Sequence, residues 1–151
     1  DITTVGDGEL EALCDVLTAV GNTTEVILSA NEAELARLAG ALAIEADGTD
    51  REVGLRAALG VAAVVRHDEA RAVAVSGEVT SVENVDSERI VRRTGAGDRF
   101  DGGLAVGIAA GLPWEEVLAL GNACAAYFVE NGETATREDI ITLLESRPRG
   151  G

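Results

Sequence analysis

Lysine and methionine are both missing from this chain of 151 residues, and histidine occurs once, at His67. Cysteine occurs twice, at Cys14 and Cys124, and proline twice. Two distant thiols and one imidazole cannot build a zinc finger, an HExxH helix or a Cys-His nucleophile pair. A Ser-His-Asp triad would have to use His67, and no GxSxG elbow accompanies it. The two cysteines fall in apolar helical patterns and read as buried, reduced packing residues. No apolar run is long enough for a membrane span, and no N-terminal stretch has the form of a signal peptide. Basic charge is scarce: 12 arginines face 27 acids, for a net charge of −15. Such a surface repels nucleic acid and anionic membranes, so neither is expected as a partner.

What is present is enough for a packed domain. Hydrophobic residues make up 46% of the chain, and this length supports one α/β domain with a real core. The acidic, lysine-free balance points to a halophilic proteome with high internal salt. There the Debye length falls to about 3 Å at 1 M and surface carboxylates repel one another little. A cytoplasmic location is expected, and a homodimer is left open. With no methionine, and with Asp1 running straight into Ile2-Thr3-Thr4, the chain reads as the C-terminal segment of a larger protein.

Periodicity gives the elements. Leu10, Leu13, Val16, Leu17 and Val20 form a helical stripe that Gly21-Asn22 ends. Glu25–Ser29 is a short apolar strand. Glu32–Leu42 and Arg51–Ala58 are helices, and Val61–Val65 is a second buried strand. Arg71–Ser76 and Glu78–Val82 alternate around Ser76-Gly77 as a hairpin. A helix from Asp98 to Ala110 stops at Gly111, and Pro113 opens the next, which runs to about Val129. A final helix, Arg137–Leu144, carries a Thr136/Asp139 capping box. The tail from Ser146 to Gly151 is expected to be loose. The order is that of an α/β fold, a single segment over 1–151.

The most informative stretch is Thr94 to Gly103, TGAGDRFDGG. Gly95 and Gly97 allow close backbone approach. The free N–H groups of a helix start attract anions, phosphates above all. A carboxylate beside such a cradle, here Asp98, suits phosphoryl transfer, taking the proton from an attacking hydroxyl.

Gly95-Ala96-Gly97-Asp98, followed by Phe100, Gly102, Gly103 and Leu104, resembles the signature of the ribokinase-like (PfkB) carbohydrate kinases. The resemblance runs from about Glu25 to Leu144. It implies the C-terminal half of a ribokinase-like fold, a mostly parallel sheet flanked by helices, with the sugar-binding and lid part absent. It also implies transfer of a nucleotide phosphoryl group to a hydroxyl of a sugar or related small alcohol, with Mg2+ and ATP, ADP being possible. On this resemblance Asp98 is the catalytic base. Gly95, Ala96, Gly97 and Asp98 form the anion hole. Thr94 and Asn122 bind the nucleotide, Asn122 lying in an Asn-Ala-x-Ala-Ala stretch. Asn31 and Glu34, matching the family's Asn-x-x-Glu, hold the magnesium through water. The same pair also fits a capping box, and Asn122 also fits a helix-packing surface.

The chain departs from the family in two places. Arg92-Arg93-Thr94 stands where relatives have Asp-Thr-Thr, so a guanidinium replaces an Asp that often belongs to a monovalent-cation site. Arg66–Arg71 lacks both glycines of a Thr-x-Gly-x-x-Gly turn near the nucleotide and reads as a solvated polar turn. Arg99, beside the base, is a candidate phosphate contact. An ADP-dependent sugar kinase and a non-catalytic nucleotide-binding module are the alternatives, and the segment alone is expected to be inactive.

Overall fold

The computed structural model describes residues 2, 4–85, 87 and 89–146. The elements run α1 (Asp7–Gly21), β1 (Ile27–Ala30), α2 (Glu32–Ala41), α3 (Gly48–Leu59), β2 (Ala63–His67), β3 (Arg71–Val75), β4 (Val79–Glu83), α4 (Ala96–Ala109), α5 (Trp114–Asn131) and α6 (Arg137–Ser146). Ser146 closes α6, and the rest of the expected loose tail lies outside the described residues. Every expected helix and strand is found, with ends shifted by a few residues. Pro113 proves to be the N-cap of α5, one position before its first turn.

The sheet has the order β1-β2-β3-β4. β1 and β2 pair in parallel, from Ile27 opposite Ala63 to Ala30 opposite Arg66. A parallel pair needs a long crossover, and α2 and α3 provide it. Ala72 to Val75 in β3 are all buried, where alternation was expected. A strand covered on both faces shows no period of two.

The chain divides into two compact units, Asp1–Asp68 with Val73–Ser81, and Glu69–Ala72 with Val82–Gly151. In the first, Leu10 and Cys14 of α1, Leu35, Leu38 and Ala39 of α2, Leu55 and Leu59 of α3 and Val64 of β2 form one core. The stripe read for α2 is buried, whereas in α1 Leu10 and Cys14 face the core and Val16 and Val20 of the expected stripe are exposed, because the buried face follows i and i+4 rather than the run toward the C-terminus. Each fully buried leucine contributes about 1.5–3 kcal/mol, and Leu35→Ala would cost about 2–5 kcal/mol. Arg37 ties the start of the chain down, donating to the carbonyls of Ile2 and Val5 at 2.7 Å each.

In the second unit α4 lies directly on α5. A Cβ on Gly103 would sit 2.8 Å from the Leu120 carbonyl oxygen, and one on Gly121 would sit 2.8 Å from the Phe100 ring. Small residues at these positions are what let the two helix backbones touch. Ala123 of α5 and Ile140 and Leu143 of α6 close a second core. The Thr136/Asp139 capping box forms: Thr136 N–H donates to Asp139 at 2.8 Å, and Asp139 N–H to Thr136 Oγ1 at 3.3 Å. Both cysteines are free; Cys14 is buried as expected, whereas Cys124 is only half-buried.

Candidate active site

The loop leading to the glycine motif is fastened to the end of α5. The last four carbonyls of a helix lack intrahelical donors. Here Val91 and Arg92 N–H groups donate to Val129 O at 2.8 and 3.1 Å. Arg89 Nε donates to Glu130 O at 2.9 Å, and Gly132 N–H to Phe128 O at 2.7 Å. The loop thus reaches Thr94 with its course fixed.

Gly95 then takes a left-handed conformation, φ 99° and ψ 3°, as the N-cap of α4. Only glycine adopts it without strain, and a Cβ there would meet the Phe128 ring at 3.4 Å. Having no side chain, Gly95 caps nothing. Ala96 N–H is taken by Arg93 O at 3.0 Å. Gly97 and Asp98 N–H groups have no acceptor among the described residues. Gly95 N–H likewise has none among the described residues, so three of the four N–H groups of the expected cradle are open. Asp98 occupies the third helical position and is exposed. Its carboxylate has neither a hydrogen bond nor an ion pair among the described residues.

Phe128 of α5 is buried beneath this loop, and two arginines use its ring. The Arg99 guanidinium lies 4.7 Å and that of Arg92 5.5 Å from the ring centre, both within cation–π range. Arg99 Nε donates to Thr134 Oγ1 at 2.9 Å, and Arg92 Nε to Thr94 O at 3.1 Å. Sequence reasoning placed both arginines near the motif but missed Phe128. Nothing local marks one phenylalanine of an apolar helix as a platform.

Asn122 is buried in α5, and its Nδ2 donates to Glu83 O at 3.3 Å. It fastens the end of β4 in this unit, beside the packing seam that Gly121 forms.

In the other unit, Asn31 and Glu34 form the reciprocal capping box. Glu34 N–H donates to Asn31 Oδ1 at 3.0 Å, and Asn31 N–H to Glu34 Oε2 at 3.1 Å. Glu34 Oε1 accepts from Ile2 N–H at 3.3 Å. Each carboxylate oxygen still has a lone pair free for a water. No group of three or more His, Cys, Asp or Glu is placed to hold a metal among the described residues. A hydrated magnesium, held mostly by water and phosphate oxygens, suits the Asn31/Glu34 donor set.

Arg66 is not in a solvated turn. It lies in β2, next to its last residue, and enters a cluster of charges: Arg66 Nε lies 3.2 Å from Glu52 Oε1, and its Nη1 bonds Asp68. Arg51 donates to Glu32 at 2.7 Å and to Glu52 at 3.1 Å. The bond from Arg51, ahead of the opposing effect of burial, holds the Glu32 carboxyl below its usual range. The signal was present in the sequence: Arg51 lies four and eight residues before Leu55 and Leu59, on the buried stripe of α3.

A family model described as prokaryotic ketohexokinase matches residues 1–147. The chain is 34% identical over 149 residues to the ketohexokinase of Haloferax volcanii, covering 93% of this chain and 38% of that protein. It is 35% identical over 81 residues to the uncharacterized sugar kinase YegV of Escherichia coli, covering 52% and 25%. Its fold matches a putative ribokinase II of E. coli in complex with ATP and Mg2+, with TM-score 0.76, 23% identity, and 95% and 47% of the two chains covered. It also matches the ribokinase of Arabidopsis thaliana complexed with ribose and ATP, with TM-score 0.72, 26% identity, and 85% and 43% covered. The chain spans less than half the length of each of these relatives.

Proposed function

Because this chain belongs to the prokaryotic ketohexokinase family, we propose that the protein transfers the terminal phosphoryl group of ATP to a hydroxyl of a ketohexose. One observation carries the reading. The carboxylate of Asp98, unpaired among the described residues, stands at a helix start whose Gly97 and Asp98 N–H groups have no acceptor among them.

In this reading the open N–H groups hold the oxygens of the transferred phosphoryl group. The helix dipole adds to their pull. Asp98 accepts the proton of the acceptor hydroxyl as its oxygen bonds to phosphorus and the bond to the leaving phosphate oxygen breaks. Gly95 keeps the backbone close, and Ala96 joins the cradle if a ligand displaces its bond to Arg93. Thr94 and Asn122 serve the nucleotide side, Asn122 by fixing the end of β4 beside α5. Asn31 and Glu34 act on the magnesium through water. That ion, brought with the nucleotide, neutralises charge on the phosphates. Preorganised donors and alignment of the hydroxyl supply most of the acceleration. The protein works in the cytoplasm, where ATP is available.

The test is a coupled assay of the whole protein with Mg-ATP and a panel of ketohexoses, aldohexoses and pentoses. Turnover should be strongest with a ketohexose. No phosphorylation of any sugar would sink the proposal.

A further inference from the structure

Arg92 and Arg99 flank the glycine motif in sequence, and the Phe128 ring gathers their guanidinium groups at one place. In each, Nε is spent on the protein, on Thr94 O for Arg92 and on Thr134 Oγ1 for Arg99. The terminal nitrogens of both forks have no partner among the described residues. Neither arginine pairs with a carboxylate among the described residues, in a chain that offers 27 acids to 12 bases. Arg37, Arg51, Arg66 and Arg93 all find one. Arg56, Arg89 and Arg137 likewise have no carboxylate partner among the described residues, but Arg92 and Arg99 are the pair whose like charges lie beside each other on one neutral ring. A Cβ on Gly95 would meet the same ring at 3.4 Å, so both charges lie near the open helix start.

Like charges on one platform repel until an anion comes between or beside them. A planar fork with its Nε anchored is preorganised for two parallel bonds to phosphate oxygens. Resting on the kinase reading of the motif, we propose that Arg92 and Arg99 are phosphate-binding residues for the donor's polyphosphate chain, with Phe128 as the positioning residue that aims both. Two anchored guanidinium groups reach phosphates further along the chain than the two N–H groups of α4 can. Asp98 does not neutralise them, because its carboxylate is unpaired and has the acceptor proton to take.

The experiment uses the whole protein and the variants Arg92→Gln, Arg99→Gln and Arg99→Lys. Calorimetric titration with inorganic tripolyphosphate is run beside kinase assays with Mg-ATP. Loss of one charge-assisted phosphate bond should weaken tripolyphosphate binding and raise the KM for ATP by about ten- to a hundredfold in each Gln variant. The kcat should stay within a few-fold, with melting midpoints near wild type. Lys should restore part of the affinity, since it keeps the charge but not the fork. Phe128→Leu, which keeps the core filled, should raise the KM for ATP without matching loss of kcat. Gln variants that bind tripolyphosphate and ATP within twofold of a sugar-phosphorylating wild type overturn the inference and leave the kinase reading intact. A wild type that binds tripolyphosphate through these arginines but phosphorylates no sugar upholds the inference and overturns the kinase reading. A wild type that does neither overturns both.

Discussion

Arg51 donates a hydrogen bond at 3.1 Å to Glu52, its immediate neighbour on α3, with the two side chains 3% and 0% exposed. Consecutive helix residues point away from each other by about 100°. That these two still meet shows how strongly burial drives charges to find partners. Glu52 Oε1 is shared with Arg66, while Oε2 has no hydrogen bond among the described residues. Removing one partner from such a cluster exposes the cost of the charge left behind. Arg51→Met should therefore destabilise the protein by about 3–5 kcal/mol, read as a lower urea midpoint at unchanged slope. A midpoint within experimental error of wild type would contradict this account.

Glu32 gives the same cluster a pH dependence. The Arg51 bond lowers its folded pKa below the ordinary 4.5. A depressed folded pKa stabilises the fold above the unfolded value, and this contribution is lost as pH falls through the folded one. Stability should thus be level above about pH 5 and decline below 4.5. Glu32→Gln should be less stable at neutral pH and show a shallower acid decline. An acid limb identical to wild type would remove Glu32 as its source.

Asp98→Asn keeps the size of the side chain and removes the proton acceptor. In the whole protein kcat should fall by about 10²–10⁴, with nucleotide affinity little changed. Activity within a few-fold of wild type would take Asp98 out of the mechanism.

Surface charge should make stability depend on salt. With 27 acids and 12 bases, repulsion acts over about 30 Å at 0.01 M salt and about 3 Å at 1 M. The melting midpoint should climb as KCl is raised from millimolar to molar. A flat curve is the result that would count against a halophilic design.

What the sequence revealed depended on distance along the chain. The stripe of α2, the Thr136 capping box and the TGAGD run were legible because their partners lie within a turn or two of each other, whereas Val16 and Val20 of the expected α1 stripe proved exposed. The same locality made Asn31 and Glu34 readable in two ways, and the capping box is the geometry observed. The charge cluster was missed because its members are spread from Glu32 to Asp68. Arg66 looked solvated only while its distant carboxylates were out of view. Phe128 was passed over for a related reason: its partners Arg92 and Arg99 lie about thirty residues upstream.

The glycine contacts between α4 and α5 also bear on mobility. With Gly103 against the Leu120 carbonyl, Gly107 against Val117 and Gly121 against the Phe100 ring, the helices are packed too closely for the few side chains between them to reorient. Interlocked backbones of this kind behave as a stiff beam. Asp98 sits at the end of that beam, in the first turn of α4, so on the kinase reading its position would be set by the packing of the two helices. Hydrogen exchange along α4 beyond its first turn should be equally slow with and without nucleotide.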